Sequence, residues 1–283
     1  MSTIARTVST RLQRLVLYCL VIVIVTVVCL PLLWMVISSL KPSSEIVGYP
    51  PSILPREWTL DNYRELFDTT SFERYFLNSF VVALASTVLS VIIGSLGAYS
   101  LTRFDYRGMS AFARSVLLAY MAPSILLVIP LFFIILRLGL GNKLTGLVVA
   151  DTTFTLPVSL WFMRSYFRAI PVDLEEAAMV DGTGRFGALC RVTMPLAAPG
   201  ALSVALFVFA HAWNEFLFAL VFISSDSKKT LPVGLQDLIT QNQLAYWGTL
   251  LAGGVLVTIP VLVLYAAVQK RIVAGLGAGA LKT

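Results

Sequence analysis

The chain has 283 residues, of which 58% are hydrophobic and 13% are charged, and its formal net charge at pH 7 is +6. With a mean hydropathy of +0.85 it carries too little polar surface to cover a water-soluble globule, so the composition excludes that class. Of the three cysteines, Cys19 and Cys29 lie in the first apolar stretch and Cys190 lies far from them, so they supply neither a disulfide framework nor a metal site, and the modest positive charge needs no nucleic-acid partner.

Apolar stretches dominate the sequence. Each is long enough to cross about 30 Å of hydrocarbon as a helix of about 20 residues. The six spans are predicted near residues 15–37, 77–102, 112–136, 144–163, 197–223 and 247–268. The sequence therefore predicts an all-α integral membrane protein with six transmembrane helices and a transmembrane domain over 15–268.

Basic residues decide the predicted orientation of these helices. If the N-terminus is inside, 13 Lys and Arg residues fall in inner segments and 8 in outer segments, where 8 acidic residues balance them. Because inner segments of membrane proteins carry the excess of basic residues, both termini are expected in the cytoplasm. This orientation gives a cytoplasmic arm over 1–14 and a cytoplasmic tail over 269–283, whose Gly/Ala-rich part, Ala274 to Ala280, is expected to have little structure.

An outer loop is predicted over residues 38–76. Its first part contains four prolines and is expected to be extended. Its second part, from Asp61 to Tyr75, mixes aromatic and charged residues, which is typical of a helix lying at the membrane surface.

The second span carries a small residue at every fourth position, which indicates close packing against another helix. These residues are Ser86, Ser90, Gly94, Ala98 and Thr102. The third and fourth spans contain Pro123, Pro130 and Pro157, which are expected to bend them.

Acidic residues within the spans are rare, because a carboxylate at mid-membrane costs about 3 kcal/mol. Asp151 stands among threonines in a patch able to hydrogen-bond hydroxyl groups, and Glu215 follows His211 by four residues, so that these two could pair on one helix face. Two interpretations remain open, a substrate pathway suited to polyols and a set of polar contacts that hold the bundle together. The candidate pathway residues are Asp151, Thr152, Thr155, Asn214 and Glu215.

Residues 171–195 form the one long water-compatible stretch between the two apolar halves. Asp173 and Glu176 have the spacing of a capping box, so a helix is expected to begin there and to end at Gly182, where glycine permits a positive φ. A hinge and a second helix leading through Pro195 should follow. One side of the first helix presents small residues suited to the cleft of another protein, namely Leu174, Ala177, Ala178 and Met179.

Motifs for catalysis are absent from the sequence. Gly182, Gly184 and Gly187 fit G-x-G-x-x-G, but they follow a predicted helix instead of a β-strand, so a turn is expected. The sequence contains no G-x-x-x-x-G-K-[ST] phosphate loop, no H-E-x-x-H metal motif and no G-x-S-x-G nucleophile. The chain is therefore not expected to be an enzyme or to hold a metal or cofactor of its own.

The run from Glu176 to Thr183, EAAMVDGT, followed by Met194 and Pro195, resembles the EAA loop of ABC importer permeases, E-A-A-x-x-D-G-A with a hydrophobic-proline pair further on. Thr183 departs from the usual alanine. Three further segments carry the resemblance, and together they make most of the chain similar to the MalG-like half of carbohydrate importers. These segments are Leu60-Asp61-Asn62-Tyr63, Trp213-Asn214-Glu215-Phe216 and the ending from Gln269 to Lys282.

The resemblance implies a subunit that moves a sugar or oligosaccharide across the inner membrane of a prokaryote. It implies as partners a second homologous permease, two ATPase subunits and an external solute-binding protein, with ATP and Mg bound by the ATPase subunits and not by this chain. The EAA helix would dock in a groove on the ATPase, the tail would reach between the ATPase subunits, and the loop from Lys228 to Tyr246 would contact the binding protein. The coupling residues would be Glu175, Glu176, Ala177, Ala178, Met179, Asp181 and Gly182.

Two other transport functions remain open. An importer of glycerol-phosphate type would use the same architecture but should show positive charge in its cavity, and none is expected there. A secondary transporter would need midplane ion sites and usually paired inverted repeats, which are not evident.

Overall fold

The computed structural model describes residues 2–241 and 247–280, and all regular secondary structure in these ranges is helical. The α-helices are α1 (Ser2–Ser39), α2 (Ser43–Ile46), α3 (Asp61–Thr69), α4 (Phe72–Arg103), α5 (Met109–Tyr120), α6 (Ser124–Arg137), α7 (Leu144–Arg168), α8 (Asp173–Val180), α9 (Arg185–Ala188), α10 (Met194–Leu196), α11 (Ala198–Trp213), α12 (Leu217–Phe222), α13 (Leu231–Gln241) and α14 (Trp247–Ala280). A π-helical turn, Leu189–Thr193, joins α9 to α10, and a 3₁₀ turn, Asp226–Lys228, precedes α13.

Four helical stretches in the described residues are long and apolar enough to cross a membrane. They are Gln13–Ser39, Phe72–Arg103, Leu144–Arg168 and Trp247–Lys270. The number rises to 6 if each of two bent helix pairs counts as one span, and the bends are 104° in the first pair and 78° in the second. The predicted all-α membrane class is therefore confirmed, with between 4 and 6 spans.

The third predicted span, 112–136, is not one helix. It is divided into α5 and α6, and Pro123 is the residue that caps the start of α6. Proline lacks a backbone N–H and disfavours helical geometry in the residue before it, so a helix cannot run through this position unchanged. The expected bend is confirmed at Pro123, whereas α6 continues through Pro130 and α7 continues through Pro157, each as one helix.

The chain divides into two compact units, Met1–Thr70 with Leu238–Leu256 and Ser71–Asp237 with Val257–Thr283. In the first unit the buried Asn62 amide holds the outer loop to the end of α1, since its Nδ2 donates to the carbonyl oxygens of Ser39 at 2.8 Å and Lys41 at 2.7 Å. The Thr249 hydroxyl at the start of α14 donates to the Glu65 carboxylate at 2.7 Å. Polar contacts thus fix the loop within this unit.

Two expectations for the outer loop are corrected. The proline-rich first part is not wholly extended, because Ser43–Ile46 forms the short helix α2. The predicted helix from Asp61 to Tyr75 is interrupted, since α3 ends at Thr69 and α4 begins at Phe72. The Thr69 and Thr70 hydroxyls donate to carbonyls four residues earlier, contacts that compete with regular helix propagation.

In the second unit α4 and α7 pack closely along the predicted small-residue stripe. Ser86, Ser90, Gly94 and Ala98 are buried, which confirms the packing inferred from their spacing. The hydroxyls of Ser90 and Thr155 share a hydrogen bond of 2.8 Å across the two helices. A Cβ atom added to Gly94 would lie 2.8 Å from the Cβ of Ser159, so no larger residue fits without a shift of the helices.

The tail also differs from expectation. Residues 274–280 continue α14 as helix, because its alanines favour helix and offset the cost of the glycines among them. Residues 281–283 lie outside the described part of the chain.

Two glycines on α4 test the helix contact. Gly94→Ala is expected to lower the free energy of unfolding by about 1–3 kcal/mol, because the new methyl group meets Ser159 and the backbone of α7. Gly97→Ala is the matched control, since its methyl group would meet only the end of the Leu160 side chain, at 3.1 Å. Thermal unfolding in detergent measures both, and equal stability of the two variants would contradict the packing described here.

Candidate coupling site

Helix α8 begins at Asp173, with Val172 as its N-cap, and no side chain caps it. The predicted capping box of Asp173 and Glu176 is therefore wrong. Val172 is itself in a helical conformation, and its carbonyl accepts the amides of Glu175 at 2.9 Å and Glu176 at 3.1 Å. The two acids of the motif lie in the first turn, where negative charge is stabilised by the positive end of the helix dipole.

The end of α8 is where the sequence predicts it. The helix stops at Val180, and Gly182 follows with a φ of 88°, in the left-handed region. The amide of Gly182 donates to the Met179 carbonyl and that of Thr183 to the Ala178 carbonyl, both at 3.1 Å, which is the hydrogen-bond pattern of a Schellman cap. The Thr183 hydroxyl donates to the same Ala178 carbonyl, so threonine adds a contact at this end that alanine could not make.

Glu175 is the buried centre of the segment. Its carboxylate accepts hydrogen bonds from Arg103 Nε at 2.8 Å, from the Tyr99 hydroxyl at 2.9 Å and from the Thr193 hydroxyl at 2.7 Å. The side chains of Arg103 and Glu175 are only 7% and 3% exposed. The charge on each is thus compensated by the other, and three different elements meet at one carboxylate.

Arg103 extends this contact to α7. Its Nη2 donates to the carbonyl oxygens of Phe167 at 3.2 Å and Ile170 at 3.1 Å. Phe167 lies in the last turn of α7 and Ile170 lies two residues beyond its end, where carbonyls lack the regular amide partner of a helix, so the guanidinium supplies an additional donor to each of them. One arginine therefore ties the end of α4 to the end of α7 and to α8.

Thr193 reaches Glu175 from the second helix of the segment. The predicted helix after the hinge exists as the continuous helical stretch Arg185–Leu196, but it contains the π-helical turn Leu189–Thr193. Pro195 cannot donate to the carbonyl four residues earlier, and this favours a wider turn just before it.

Sequence reasoning missed the partners of Glu175, which are Tyr99, Arg103 and Thr193. Arg103 stood out only as one of several basic residues at an inner helix end, and nothing in its neighbourhood showed that it is buried. Charged residues are almost never buried without a partner, but the sequence gives no way to choose that partner across the fold.

One side of α8 is exposed within the described part of the chain, and the residues on it are not the same as those of the predicted small-residue face. Leu174 and Ala177 are exposed, but Ala178 and Met179 are half-buried against the chain itself. Glu176, Val180 and Asp181 are exposed as well, Val180 by 87%, and Phe186 on α9 is 69% exposed. Of the predicted coupling residues, Glu175 thus faces inward, while Glu176, Ala177, Asp181 and Gly182 face outward.

Asp151 and its threonines lie inside the helix bundle. Asp151 is 1% exposed, and its Oδ1 and the Thr152 hydroxyl have no hydrogen-bond partner among the described residues. The Thr155 hydroxyl contacts Ser90 and donates to the Asp151 backbone carbonyl at 2.8 Å. Thr155 therefore holds α4 to α7, whereas Asp151 and Thr152 keep unused hydrogen-bonding atoms.

The predicted pairing of His211 with Glu215 is wrong. Helix α11 ends at Trp213, and the Glu215 carboxylate accepts the amides of Phe218 at 2.7 Å and Ala219 at 2.9 Å, so it caps the start of α12. The fifth predicted span, 197–223, is thus broken at 214–216 because an acid there can begin a new helix. Asn214 is exposed and donates to the Ala210 carbonyl at 2.7 Å. Glu215 and Asp151 are close enough to interact electrostatically.

Adjacent glutamates on α8 allow a matched test of the buried contact. Glu175→Ala is expected to lower the free energy of unfolding by about 3–5 kcal/mol, because it leaves the Arg103 charge buried without its partner. Glu176→Ala changes an exposed side chain of the same size, and its effect should stay within about 0.5 kcal/mol. Thermal unfolding of the purified chain gives both values; comparable losses in the two variants would argue against the role of Glu175.

Comparison with known proteins identifies the kind of chain to which this site belongs. Residues 90–276 match the family described as binding-protein-dependent transport system inner membrane component. The chain is 39% identical over 273 residues to the inner membrane ABC transporter permease protein YcjP of Escherichia coli (strain K12), covering 96% of this chain and 97% of that protein. It is 39% identical over 263 residues to the trehalose/maltose transport system permease protein MalG of Thermococcus litoralis, covering 92% and 94%.

A solved structure agrees with these sequence matches. The fold is similar to a chain in the crystal structure of a bacterial ABC transporter involved in the import of the acidic polysaccharide alginate. The TM-score is 0.76 at 24% identity, and the match covers 93% of this chain and 97% of that one. This chain belongs to the family of binding-protein-dependent transport system inner membrane components, among permease subunits of sugar ABC transporters, and is a multi-pass membrane protein.

Proposed function

We propose that this chain is one of two permease subunits of an ABC importer in the inner membrane of a prokaryote. It crosses the membrane six times with both termini in the cytoplasm, and it passes a sugar or oligosaccharide delivered by an external solute-binding protein. Two partner ATPase subunits bind ATP and Mg, and their hydrolysis of ATP drives the transport. The family description and the sugar permeases among the relatives support this assignment.

One observation carries the coupling part of the proposal: one side of α8 is held by buried polar contacts, and the opposite side is exposed. Glu175 joins it to Arg103 at the end of α4, and through Arg103 to the carbonyls that end α7. A force applied to the exposed side, at Glu176, Ala177 and Val180, would reach two membrane-spanning helices through buried polar contacts. A short helix attached only by flexible loops could not transmit such a force.

The charges within the bundle support a neutral polyhydroxylated substrate. Asp151 and Glu215 place two carboxyl groups in electrostatic range of each other, with Thr152 beside them. Such groups can exchange hydrogen bonds with sugar hydroxyls, and they offer no positive charge to pair with a phosphate ester. A glycerol-phosphate importer is therefore the weaker candidate.

The expectation that the spans hold no positive charge is corrected by Arg164. Helix α7 runs to Arg168, beyond the predicted end of the fourth span, and Arg164 is buried within it. It follows Asp151 by 13 residues, which is about 20 Å along a helix. At that distance it does not compensate the acids, and it gives no support to an anionic pathway at Asp151.

The segment from Lys228 onward is held firmly and is our candidate for contact with the binding protein. Just before this segment Tyr75 donates to Asp226 at 2.9 Å, and within it Lys229 donates to Asp237 on α13 at 2.6 Å. The hydrogen bond to Asp237 raises the pKa of Lys229, because the carboxylate stabilises the protonated amine. Helix α13 occupies most of the predicted contact loop, and residues 242–246 lie outside the described part of the chain.

The transport proposal is tested in proteoliposomes containing this chain, its partner permease, the ATPase subunits and the binding protein. A sugar-loaded binding protein should stimulate both ATP hydrolysis and uptake. Gly182→Val should cut uptake about tenfold or more while hydrolysis continues, because a β-branched residue is strained at a φ of 88° and disturbs the end of α8.

Gly184→Val is the control for that variant, since Gly184 has an ordinary φ of −72° and open space around it. It should leave uptake near the wild-type rate. Normal uptake by Gly182→Val would refute the role of this turn in coupling. Stimulation by a phosphorylated solute and by no sugar would refute the substrate class while leaving the coupling segment in place.

A further inference from the structure

The Arg164 guanidinium lies in the last two turns of α7 and lacks a counter-charge within the described residues. The residue is only 8% exposed, and its Nε–H has no hydrogen-bond partner there. None of the ion pairs found in the described part of the chain involves it. A buried charge of this kind is costly unless something outside the chain pairs with it.

A second unused donor lies beside it. The guanidinium carbon of Arg164 is 5.0 Å from the centre of the Trp161 ring, a cation–π contact. The Nε1–H of Trp161 is also buried without a partner in the described residues. The ring itself packs against an apolar cluster of α4, α5 and α7, formed by Leu101, Ala113 and Leu160. Packing thus fixes a pair of N–H donors next to each other.

The positive charges at this end of α7 favour an anionic ligand. The charge that acts on Arg164 is that of Arg168, another cation one turn later. Two arginines and an indole N–H suit a ligand that offers several acceptor oxygens and a negative charge. A phosphate group has this chemistry, because its oxygens can accept the forked donors of a guanidinium.

The position along α7 indicates where such a phosphate comes from. Arg164 lies one turn, about 6 Å, from the end of the membrane-spanning helix at Arg168. Tryptophan and arginine at this depth are typical of the boundary between hydrocarbon and headgroups, and basic pockets between helices on the cytoplasmic side bind lipid headgroups. A free phosphate ion has no reason to favour this depth.

We propose that Trp161 and Arg164 form a binding site for the phosphate of an anionic phospholipid of the inner leaflet. The site lies where α7 packs against α5, and Arg168 adds to its positive charge. This assignment rests on the proposed orientation, which places the end of α7 in the cytoplasm. A bound lipid would fill the contact that the chain itself leaves open and would hold the inner end of α7 at the headgroups.

Lipid binding to the purified full chain tests the site, with native mass spectrometry as the readout. Phosphatidylglycerol should bind about tenfold more tightly than phosphatidylcholine with the same acyl chains. Arg164→Gln should abolish this preference, and Trp161→Phe should weaken it, since it removes the indole N–H and keeps an aromatic ring. Arg191→Gln is the control, because it removes an exposed positive charge from the same predicted side.

Four other results would overturn the proposal. The first two are that the wild-type chain shows no preference for phosphatidylglycerol over phosphatidylcholine, and that Arg191→Gln loses this preference as fully as Arg164→Gln does. The third is that low-millimolar inorganic phosphate displaces phosphatidylglycerol. The fourth is that Arg164→Gln binds lipid as the wild type does but assembles less tightly with the second permease. The third would indicate a soluble anion, and the fourth a carboxylate of the partner. If Arg164→Gln fails to fold, the wild-type preference and Trp161→Phe decide the question. The measurement needs neither ATP nor sugar, so its failure is distinct from failure of the transport proposal.

Discussion

The buried ion pair between Glu175 and Arg103 is the contact on which the structure around α8 depends. A carboxylate and a guanidinium removed from water are stabilised only when their hydrogen-bonding capacity is filled, and here Tyr99, Thr193 and the last carbonyls of α7 fill it. The same bonds that compensate the charges also fix the position of α8.

The proposed transport role follows from the two sides of α8. Its inner side is fixed by Glu175, and its end is closed by the cap at Gly182, so the exposed side forms a firm surface. Further in, α4 and α7 are pressed together along small residues, with Ser90 and Thr155 joined by a hydrogen bond. A push on α8 would therefore move packed helices together, while the acids at Asp151 and Glu215 would meet a passing sugar.

The sequence was informative where local chemistry decides the structure. Glycine at 182 predicted the end of α8, four-residue spacing of small residues predicted the contact of α4 with α7, and apolar length predicted the helical membrane class. Predictions from the sequence were wrong where a side chain could contact more than one partner. Glu215 has the spacing to pair with His211, yet it caps α12, and Asp173 has the spacing of a cap but makes no cap contact. Such choices depend on the packing of distant elements, which a local pattern does not contain.

The number of sugar molecules imported per ATP hydrolysed, measured for Glu175→Gln in the reconstituted importer, tests the central claim most directly. Glutamine keeps the size of the side chain and one of the two oxygens that accept hydrogen bonds from Tyr99 and Thr193, but it loses the charge that holds Arg103. The account predicts that the ratio falls about tenfold while ATP hydrolysis continues, because a weakened ion pair leaves α8 free to move without α4 and α7. A ratio equal to that of the wild type, in a variant whose α8 amides exchange faster with solvent, would contradict it.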